Sequence, residues 1–213
     1  MDKVALEDEY KHAKIESFCF DLMSEDYSFF DRFSDIDAGM ITAGFARLSL
    51  FKEVSERYIT DSFQVNTLPV LRLVKRFYGK LEAAEDFYFG VMVSIAGFMS
   101  SPFYAVYGAT KAALKIFIES VNVELQKGGA RNRILNVSPG SIKGTSFNAE
   151  KTDLKQTCEL TKEILKHLEA KDDLFIPQYE EVFKAVLSRY QKDFREEGAH
   201  SYEYKLKSGR LKS

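Results

Sequence analysis

Three residues that can move protons lie in the middle of this chain: Ser94, Tyr107 and Lys111. A phenol can give a proton to a carbonyl oxygen or accept one from an alcohol, and a serine hydroxyl can hydrogen-bond the same oxygen. Tyr107 and Lys111 share one face if their segment is helical, because they are four positions apart. The trio predicts acid–base chemistry on a carbonyl or alcohol. Nucleophilic attack is disfavoured, since no Gly-x-Ser-x-Gly sequence surrounds Ser94.

Lys111 is expected to bring the phenol of Tyr107 towards neutral pH. A free tyrosine titrates at about pH 10, which is too high for efficient proton exchange. An ammonium about 4 Å away favours the phenolate by about 4 kcal/mol at an effective dielectric of about 20, and so lowers its pKa by up to about three units. Desolvation of the lysine offsets part of this. The spacing alone is weak evidence, because Tyr10 and Lys14 repeat it.

Apolar runs alternate with helix-like segments, which predicts an α/β fold with a parallel sheet between helices. Strands are predicted at residues 15–20, 38–42, 87–93, 133–137 and 174–177. Helices are predicted at residues 24–33, 55–81, 104–126, about 160–168 and 179–194, with Pro69 marking a kink or boundary in the second. Residues directly after the strands would line one crevice at their carboxyl ends. These residues are Asp21, Gly44, Ser94 and Gly140.

The composition fits one globular domain covering residues 1–213. In it, residues 146–177 would form a substrate-side connector and residues 178–213 a C-terminal helix and tail. The formal net charge of −2 gives no electrostatic footprint for nucleic acid. The longest apolar run, residues 87–99, is too short to cross a bilayer, and residues 1–4 do not open a signal peptide. We therefore expect a cytoplasmic protein without nucleic-acid or membrane partners.

The cysteines, histidines and terminal basic residues predict no metal or anion site. Cys19 lies in an apolar run and is expected to be a buried free thiol in a reducing compartment. The histidines lack acidic or cysteine companions at ligand spacing; they are His12, His167 and His200. The basic residues near the C-terminus are expected to form a solvated, frayed tail. They are Lys205, Lys207, Arg210 and Lys212.

In their order and surroundings these residues resemble the short-chain dehydrogenase/reductase family. Ser94, thirteen residues before Tyr107-x-x-x-Lys111, matches the family's catalytic serine, tyrosine and lysine. Asn66 matches the asparagine that completes its proton relay through an ordered water. The resemblance covers residues 15–145 and is highly specific as a set. It implies a Rossmann-like doubly wound parallel sheet, and hydride transfer between a nicotinamide dinucleotide and an alcohol/carbonyl pair, with Tyr107 as the acid–base group.

The same resemblance assigns residues to a cofactor, NAD or NADP. Tyr107 and Lys111 would contact it, with Lys111 on the nicotinamide ribose hydroxyls. The other assignments are Asp21 at the adenine, Ala43 and Gly44 in a motif whose two asparagines are replaced here, Pro139, Gly140 and Ile142 along the nicotinamide, and Thr145 at the pyrophosphate or amide. The resemblance also implies a homodimer or homotetramer formed through helix faces such as residues 104–126. The substrate, and the choice between NAD and NADP, stay open.

One part of the family's pattern has no counterpart in the sequence. The family opens with a strand, a Gly-x-x-x-Gly-x-Gly turn and a helix, and the turn needs glycines for close approach to phosphate. The first glycine here is Gly39. The sheet is therefore expected to be incomplete at the N-terminus, with two unpaired edges facing a gap between the strands ending near Asp21 and beginning near Ala38. A fragment of a longer product is the favoured explanation. An inward shift of the first strand, or a partner that fills the gap, are the alternatives.

Two functions of different class follow. In the first, the chain is an oxidoreductase, active if the N-terminal unit is present or replaced. In the second, it is a catalytically silent scaffold of the same lineage that pairs through its long helices. Titrations with NADH and NADPH separate the two, because only the oxidoreductase requires cofactor binding.

Overall fold

Four parallel strands form the central sheet. The computed structural model describes residues 14–145 and 153–207 of the chain. The strands lie in the order β1 (Ala38–Ile41), β2 (Tyr88–Met92), β3 (Ile134–Val137) and β4 (Leu174–Phe175), each parallel to its neighbour. Gly39 lies opposite Phe89, and Val137 lies between Met92 and Phe175. Four of the predicted strands are thus present, with shorter bounds.

Helices connect these strands and cover both faces of the sheet. The α-helices are α1 (Glu56–Asn66), α2 (Leu68–Glu82), α3 (Ala105–Lys127), α4 (Leu154–Glu169), α5 (Lys184–Lys192) and α6 (Phe194–Lys207). Short 3-10 helices lie at Ser28–Phe33, Phe51–Glu53 and Ile95–Gly97, and a π-helical turn lies at Tyr179–Phe183. The alternation of parallel strands and helices confirms the predicted Rossmann-like α/β class.

Buried apolar side chains form one layer on each face of the sheet. The larger layer, between the sheet and helices α2 and α3, is built around Phe89, Leu114 and Ile118, which are at most 2% exposed. The smaller layer joins β3 to α4 and contains Leu135, Val137, Ile164 and Leu168. Each fully buried Leu, Ile or Phe side chain contributes about 1.5–3 kcal/mol. Part of the predicted connector, residues 146–177, therefore covers the sheet as α4, which is longer than the predicted helix at 160–168.

The long helix predicted at residues 55–81 is two helices, as Pro69 indicated. Ser55 caps α1 by accepting a hydrogen bond from the N–H of Tyr58 at 3.2 Å. Thr67, at φ −119° and ψ −61°, separates α1 from α2. Pro69, in the first turn of α2, lacks the N–H that an uninterrupted helix would use. Asn66 is therefore the last residue of α1, with its side chain directed at the loop after β1.

The strand predicted at residues 15–20 is wrong, because this segment has no regular secondary structure. A strand needs a neighbour for its backbone hydrogen bonds, and β1 pairs only with β2 in the described sheet. Phe18 and Phe20 instead contact aromatic rings of the 3-10 helix Ser28–Phe33, which stands where a longer helix at 24–33 was predicted. Cys19 is exposed, so its predicted burial is also wrong. Of the two unpaired edges expected to face the gap, only the edge of β1 is present among the described residues.

The C-terminal part contains two helices where one helix and a frayed tail were predicted. Asp193 leaves helical geometry at φ −149° and ψ 100°, which ends α5. Its carboxylate then accepts hydrogen bonds from the N–H groups of Arg195 and Glu196 at 2.9 and 3.2 Å, which begins α6. Lys205 is consequently part of a docked helix and is half-buried, so the predicted solvated tail is wrong for this residue. Arg210 and Lys212 lie outside the described residues.

Asn132 joins the loops at the end of the sheet opposite the strand carboxyl ends, and the sequence analysis assigned it no role. Its side chain is 1% exposed. Its amide nitrogen donates to three backbone carbonyls, those of Lys80, Ala83 and Glu85, at 2.9–3.1 Å. Its amide oxygen accepts from the N–H of Phe87 and the ammonium of Lys171. One side chain thus connects the end of α2, the entry to β2 and the loop before β4.

Within residues 14–145 and 153–207, no helix is long and apolar enough to cross a membrane. In the same ranges, no cluster of three or more His, Cys, Asp or Glu residues is arranged to hold a metal ion.

Candidate active site

Ser94 lies at the carboxyl end of the central strand β2. It caps the 3-10 helix Ile95–Gly97, and its hydroxyl accepts a hydrogen bond from the N–H of Ala96 at 3.1 Å. The N–H of Ile95 donates to the carbonyl of Pro139 at 3.0 Å. This bond joins the loops that follow β2 and β3, so Ser94 and Pro139 lie at the same end of the sheet, at the carboxyl ends of its strands, as predicted.

Gly97 allows this loop to lie directly against the helix that carries Tyr107. A Cβ atom built on Gly97 would stand 2.8 Å from the carbonyl oxygen of Lys111 and 3.1 Å from the backbone nitrogen of Ala112. Both atoms belong to the backbone of α3, which cannot give way as a flexible side chain could. The close approach brings Ser94 next to the first turns of α3.

Replacing Gly97 with Ala is expected to destabilise the fold by about 1–3 kcal/mol, because the added methyl forces the loop away from α3. Urea denaturation of the purified protein measures the change. Gly79→Ala is the matched control, since a Cβ there has nothing within 4 Å and alanine favours a helix. Equal stability of the Gly97→Ala protein and the wild type would show that the loop does not need this close approach.

Tyr107 lies in the first turn of α3 and is 8% exposed. The side chain of Ser94 is near enough to hydrogen-bond its phenol. Burial raises the pKa of the phenol above its ordinary value; the Ser94 hydrogen bond lowers the pKa, and the neighbouring Tyr104 raises it. The net direction is upward, so the predicted lowering of the Tyr107 pKa by Lys111 is wrong for the protein without ligand.

The position of the Lys111 ammonium explains this result. Its Nζ donates to the carbonyl oxygen of Met92, at the end of β2, at 2.8 Å and lies 5.7 Å from the centroid of the Tyr107 ring. Lys111 is 3% exposed, and desolvation lowers its own pKa from 10.5 to about 8. The ammonium was expected to act on the phenol, whereas the fold directs it to the carbonyl of Met92.

The buried lysine gives a pH dependence with a definite sign. In the unfolded chain the pKa of Lys111 is 10.5 and in the folded chain it is about 8, so the unfolded state binds more protons between these values. The destabilisation caused by burying the charged ammonium is greatest below pH 8 and disappears as pH rises towards 10.5. The gain in unfolding free energy of Lys111→Met over wild type should therefore shrink by about 1–3 kcal/mol across this range. Urea denaturation at a series of pH values measures it, and a pH-independent difference would contradict the buried charge.

Asn66 fixes the loop after β1 to the Tyr107 helix. The side chain is fully buried and pairs with both backbone groups of Phe45, accepting from its N–H and donating to its carbonyl at 2.9 Å each. Its amide nitrogen also donates to the hydroxyl of Thr110 at 3.3 Å, and Thr110 donates to the carbonyl of Tyr107 at 2.7 Å. Thr110 stands between Tyr107 and Lys111 in the sequence, yet its part in this network could not be read from spacing.

Gly44 brings the loop after β1 to the ammonium of Lys111. A Cβ built on Gly44 would lie 3.5 Å from Nζ of Lys111 and 3.3 Å from Oδ1 of Asn66. Gly44 and its neighbour Ala43 are exposed, whereas the side chains of Asn66 and Lys111 are buried. Gly44, Asn66 and Lys111 therefore lie together, and the hydrogen bond from Lys111 to Met92 connects them to the end of β2 that leads to Ser94. Gly44 and Ser94 both follow strand carboxyl ends, as the sequence predicted.

The remaining predicted residues are placed less centrally. Asp21 is exposed and its carboxylate accepts from the N–H of Met23 at 2.9 Å; because no strand precedes it, it is not at a strand end. The strand end on which its expected place in the crevice depended is therefore absent, and that place stays a prediction. The hydroxyl of Thr145 donates to the carbonyl of Ile142 at 2.9 Å, so both residues belong to a turn after Gly140.

Phe183, from the π-helical turn, covers Gly140. A Cβ on Gly140 would lie 2.7 Å from Cζ of the Phe183 ring. The turn begins after Gln178, which adopts a left-handed conformation at φ 58°. Phe183 falls in the helix predicted at residues 179–194, and its spacing does not reveal this contact.

Comparisons with known proteins agree with this geometry. The family model for short chain dehydrogenase matches residues 20–156. The uncharacterized oxidoreductase TDA5 of Saccharomyces cerevisiae is 34% identical over 103 residues, which cover 48% of this chain and 32% of the yeast protein. An uncharacterized oxidoreductase of Staphylococcus epidermidis is 27% identical over 126 residues, covering 57% of this chain and 54% of that protein. The chain thus spans about a third to about a half of these curated relatives.

Solved structures share the fold. A short-chain dehydrogenase from Sphingobium yanoikuyae in complex with NADPH superposes with a TM-score of 0.66 at 20% identity, covering 89% of this chain and 79% of that one. A short chain dehydrogenase from Burkholderia cenocepacia in complex with NADP gives a TM-score of 0.62 at 21% identity, with coverages of 80% and 76%. Since the family model covers more than half of the sequence, the chain belongs to the short-chain dehydrogenase family.

Proposed function

We propose that this protein is an NAD(P)-dependent oxidoreductase that transfers hydride between a nicotinamide and an alcohol/carbonyl pair. The observation that carries the proposal is the buried Tyr107, with Ser94 close to its phenol and the Lys111 ammonium 5.7 Å from its ring centroid. Asn66 is joined to the same helix through Thr110. Family membership supports the reaction class. We propose the same residues as the catalytic set.

Each side chain would have a distinct part in the proton transfer. Tyr107 holds its proton at neutral pH, because burial raises its pKa, and so it can donate to a carbonyl oxygen. Ser94 lies close to that phenol and can hydrogen-bond the substrate oxygen from the same position. Asn66, held on both sides by Phe45, keeps the loop after β1 and the Tyr107 helix in fixed relation.

The residues present fit the nicotinamide end of a dinucleotide better than its phosphate end. Gly44 places no side chain between the loop after β1 and Lys111, whose ammonium suits the ribose hydroxyls, and Ala43 lies beside it. Pro139, Gly140, Ile142 and Thr145 would flank the nicotinamide. When bound, the cofactor supplies or accepts the hydride. For the phosphates, the sequence offers no glycine before Gly39, and no strand precedes Asp21.

The wider setting is proposed on the same basis. We propose one domain, a small-molecule alcohol or carbonyl substrate, NAD or NADP as cofactor and a cytoplasmic location. Association into a homodimer or homotetramer is supported by Ile116 and Val123 on α3, which are 59% and 55% exposed. Apolar side chains with that exposure are suited to burial against a second copy of the chain.

A catalytically silent scaffold is the second candidate, and one contact favours it. The Phe183 ring lies against Gly140, beside the place proposed for the nicotinamide. If this ring stays in place, it narrows the crevice at that end. Phe183→Ala should then raise the affinity for NADPH, whereas a scaffold would bind no NADPH with or without the ring.

Transfer of deuterium tests the hydride reaction. The purified full chain is incubated with NADPH deuterated at the nicotinamide C4 and a panel of aliphatic and aromatic aldehydes and ketones. An active enzyme yields an alcohol with one deuterium on the former carbonyl carbon, detected by mass spectrometry. Alcohol without deuterium, or no alcohol from any member of the panel, would argue for the scaffold.

A further inference from the structure

The segment Ser100–Tyr104, just before α3, forms part of the wall beside the phenol of Tyr107. The ring centroids of Tyr104 and Tyr107 are 5.9 Å apart. A small pocket next to Tyr107 is lined by Phe103 and Tyr104 together with Arg47 and Tyr58. Any molecule that reaches the phenol through this pocket meets the Ser100–Tyr104 segment.

This segment has a backbone conformation that needs outside support. Phe103 has φ 67°, a left-handed value that is unfavourable for a bulky side chain. The carbonyl of Phe103 accepts a hydrogen bond from the N–H of Ser49 at 3.0 Å. The N–H of Tyr104 also donates to the carbonyl of Ser101 at 2.9 Å, which closes a turn around Phe103. Contacts from outside the turn are still needed to hold it in place beside Tyr107.

Helix α6 provides those contacts from the far end of the sequence. The ring of Tyr202 stacks on Phe103 with centroids 4.5 Å apart and planes at 29°. The ammonium of Lys205 donates to the hydroxyl of Ser101 at 2.7 Å and to the carbonyl of Pro102 at 2.9 Å. It also lies 5.3 Å from the centroid of the Tyr104 ring, a cation–π distance.

Two further observations indicate that α6 is closely docked. A Cβ on Gly198, in the middle of α6, would lie 3.3 Å from the hydroxyl of Ser100. Burial lowers the pKa of Lys205 to about 8, as expected for an ammonium removed from water at a helix contact. The helix therefore contacts the segment along its length, from Gly198 to Lys205.

We propose that Tyr202 and Lys205 are positioning residues that fix the Ser100–Tyr104 segment beside Tyr107 and so determine which carbonyl substrates reach the phenol. The selection of substrate rests on the proposed function; the fixing of the segment does not. Neither residue touches the reacting atoms, since both act through Phe103, Pro102 and Tyr104.

Hydrogen–deuterium exchange tests the fixing of the segment. Tyr202→Ala and Lys205→Met should each speed amide exchange in residues 100–104 by about tenfold or more, because the segment opens locally. Tyr204→Ala and Lys207→Met are matched controls on exposed positions of the same helix. Tyr202→Phe keeps the stacked ring and should restore wild-type exchange. Unchanged exchange in Tyr202→Ala and Lys205→Met, or an equal change in the controls, would overturn the proposal.

The phenol itself gives a second readout that a remote structural role would not move. The pKa of Tyr107, followed by NMR with ¹³C-labelled tyrosine and assigned with Tyr107→Phe, should fall by about half a unit or more in Lys205→Met. The reason is that opening the segment hydrates the phenol and moves Tyr104 away from it. An unchanged Tyr107 pKa would mean that the segment does not shape the environment of the phenol.

Substrate selection is tested with propanal and benzophenone as small and bulky probes. The ratio of kcat/KM for benzophenone over propanal should rise at least about fivefold in Tyr202→Ala, through KM more than kcat. If amide exchange is faster in Tyr202→Ala but the kcat/KM ratio is unchanged, α6 does fix the segment in the wild-type protein, and the proposed part of the segment in substrate selection is refuted. If the wild-type protein binds no NADPH, the proposed function fails and selection fails with it, while exchange still decides the positioning role.

Discussion

Replacing Tyr107 with Phe is expected to lower kcat/KM for carbonyl reduction by about 10²–10⁴-fold, the usual contribution of a positioned general acid. The substitution removes one oxygen, which lies close to Ser94, and keeps the buried ring. Affinity for NADPH should stay within about fivefold of wild type, because the ring still fills its place. Initial rates of NADPH oxidation with the best carbonyl of the panel, and a separate binding titration, measure the two effects.

Tyr204→Phe is the control for this substitution, since Tyr204 is 69% exposed on α6 and far from the crevice contacts. It loses the same oxygen and should keep wild-type kcat/KM. A Tyr107→Phe protein that retains more than about a tenth of the activity would show that another group supplies the proton. An equal loss in both variants would point to a general effect of removing tyrosine hydroxyls.

Replacing Asn132 with Ala is expected to produce the largest loss of stability among the polar substitutions considered, about 3 kcal/mol or more. The buried amide joins the carbonyls of Lys80, Ala83 and Glu85 to the N–H of Phe87. Each polar group left buried without a partner costs about 1–3 kcal/mol. Urea denaturation followed by circular dichroism measures the free energy of unfolding.

Gln126→Ala is a suitable control, because Gln126 is an exposed amide side chain near the end of α3. It should change the free energy of unfolding by less than about 0.5 kcal/mol. Loss of less than about 1 kcal/mol in Asn132→Ala would mean that water replaces the amide at these carbonyls. Such a small loss would indicate that the apolar core, and not the hydrogen bonds between these loops, provides most of the free energy of unfolding.

Much of the fold could be predicted from sequence because its signals are local. The apolar run at residues 87–93 and the helix at residues 104–126 carry strong periodicity, and both are present with small changes of bounds. The segment at residues 15–20 also contains several apolar residues, but it has no strand to pair with in the described sheet, so it packs its aromatic rings on Ser28–Phe33. Apolar composition predicts that a segment is buried, whereas strand formation also depends on a neighbouring strand that can accept its backbone hydrogen bonds.

In the candidate site, too, local features could be predicted and contacts set by packing could not. Ser94, Tyr107 and Lys111 meet because strand ends and one helix face are periodic features. The electrostatic argument failed, since the direction of the Lys111 ammonium towards Met92 is decided by packing and not by spacing. Contacts between distant segments could not be foreseen either. Two such contacts join residues far apart in the sequence: the ring of Phe183 with Gly140, and the ammonium of Lys205 with Ser101.

The most direct test of the account is calorimetric titration of the purified full chain with NADPH and with NADH. We expect saturable binding of at least one of them with a Kd below about 1 mM, weakened about tenfold or more by Lys111→Met, whose ammonium is proposed to hold the ribose hydroxyls. Absence of binding to either nucleotide at millimolar concentration, with the protein folded by circular dichroism, would contradict the proposal that this crevice is a working oxidoreductase site.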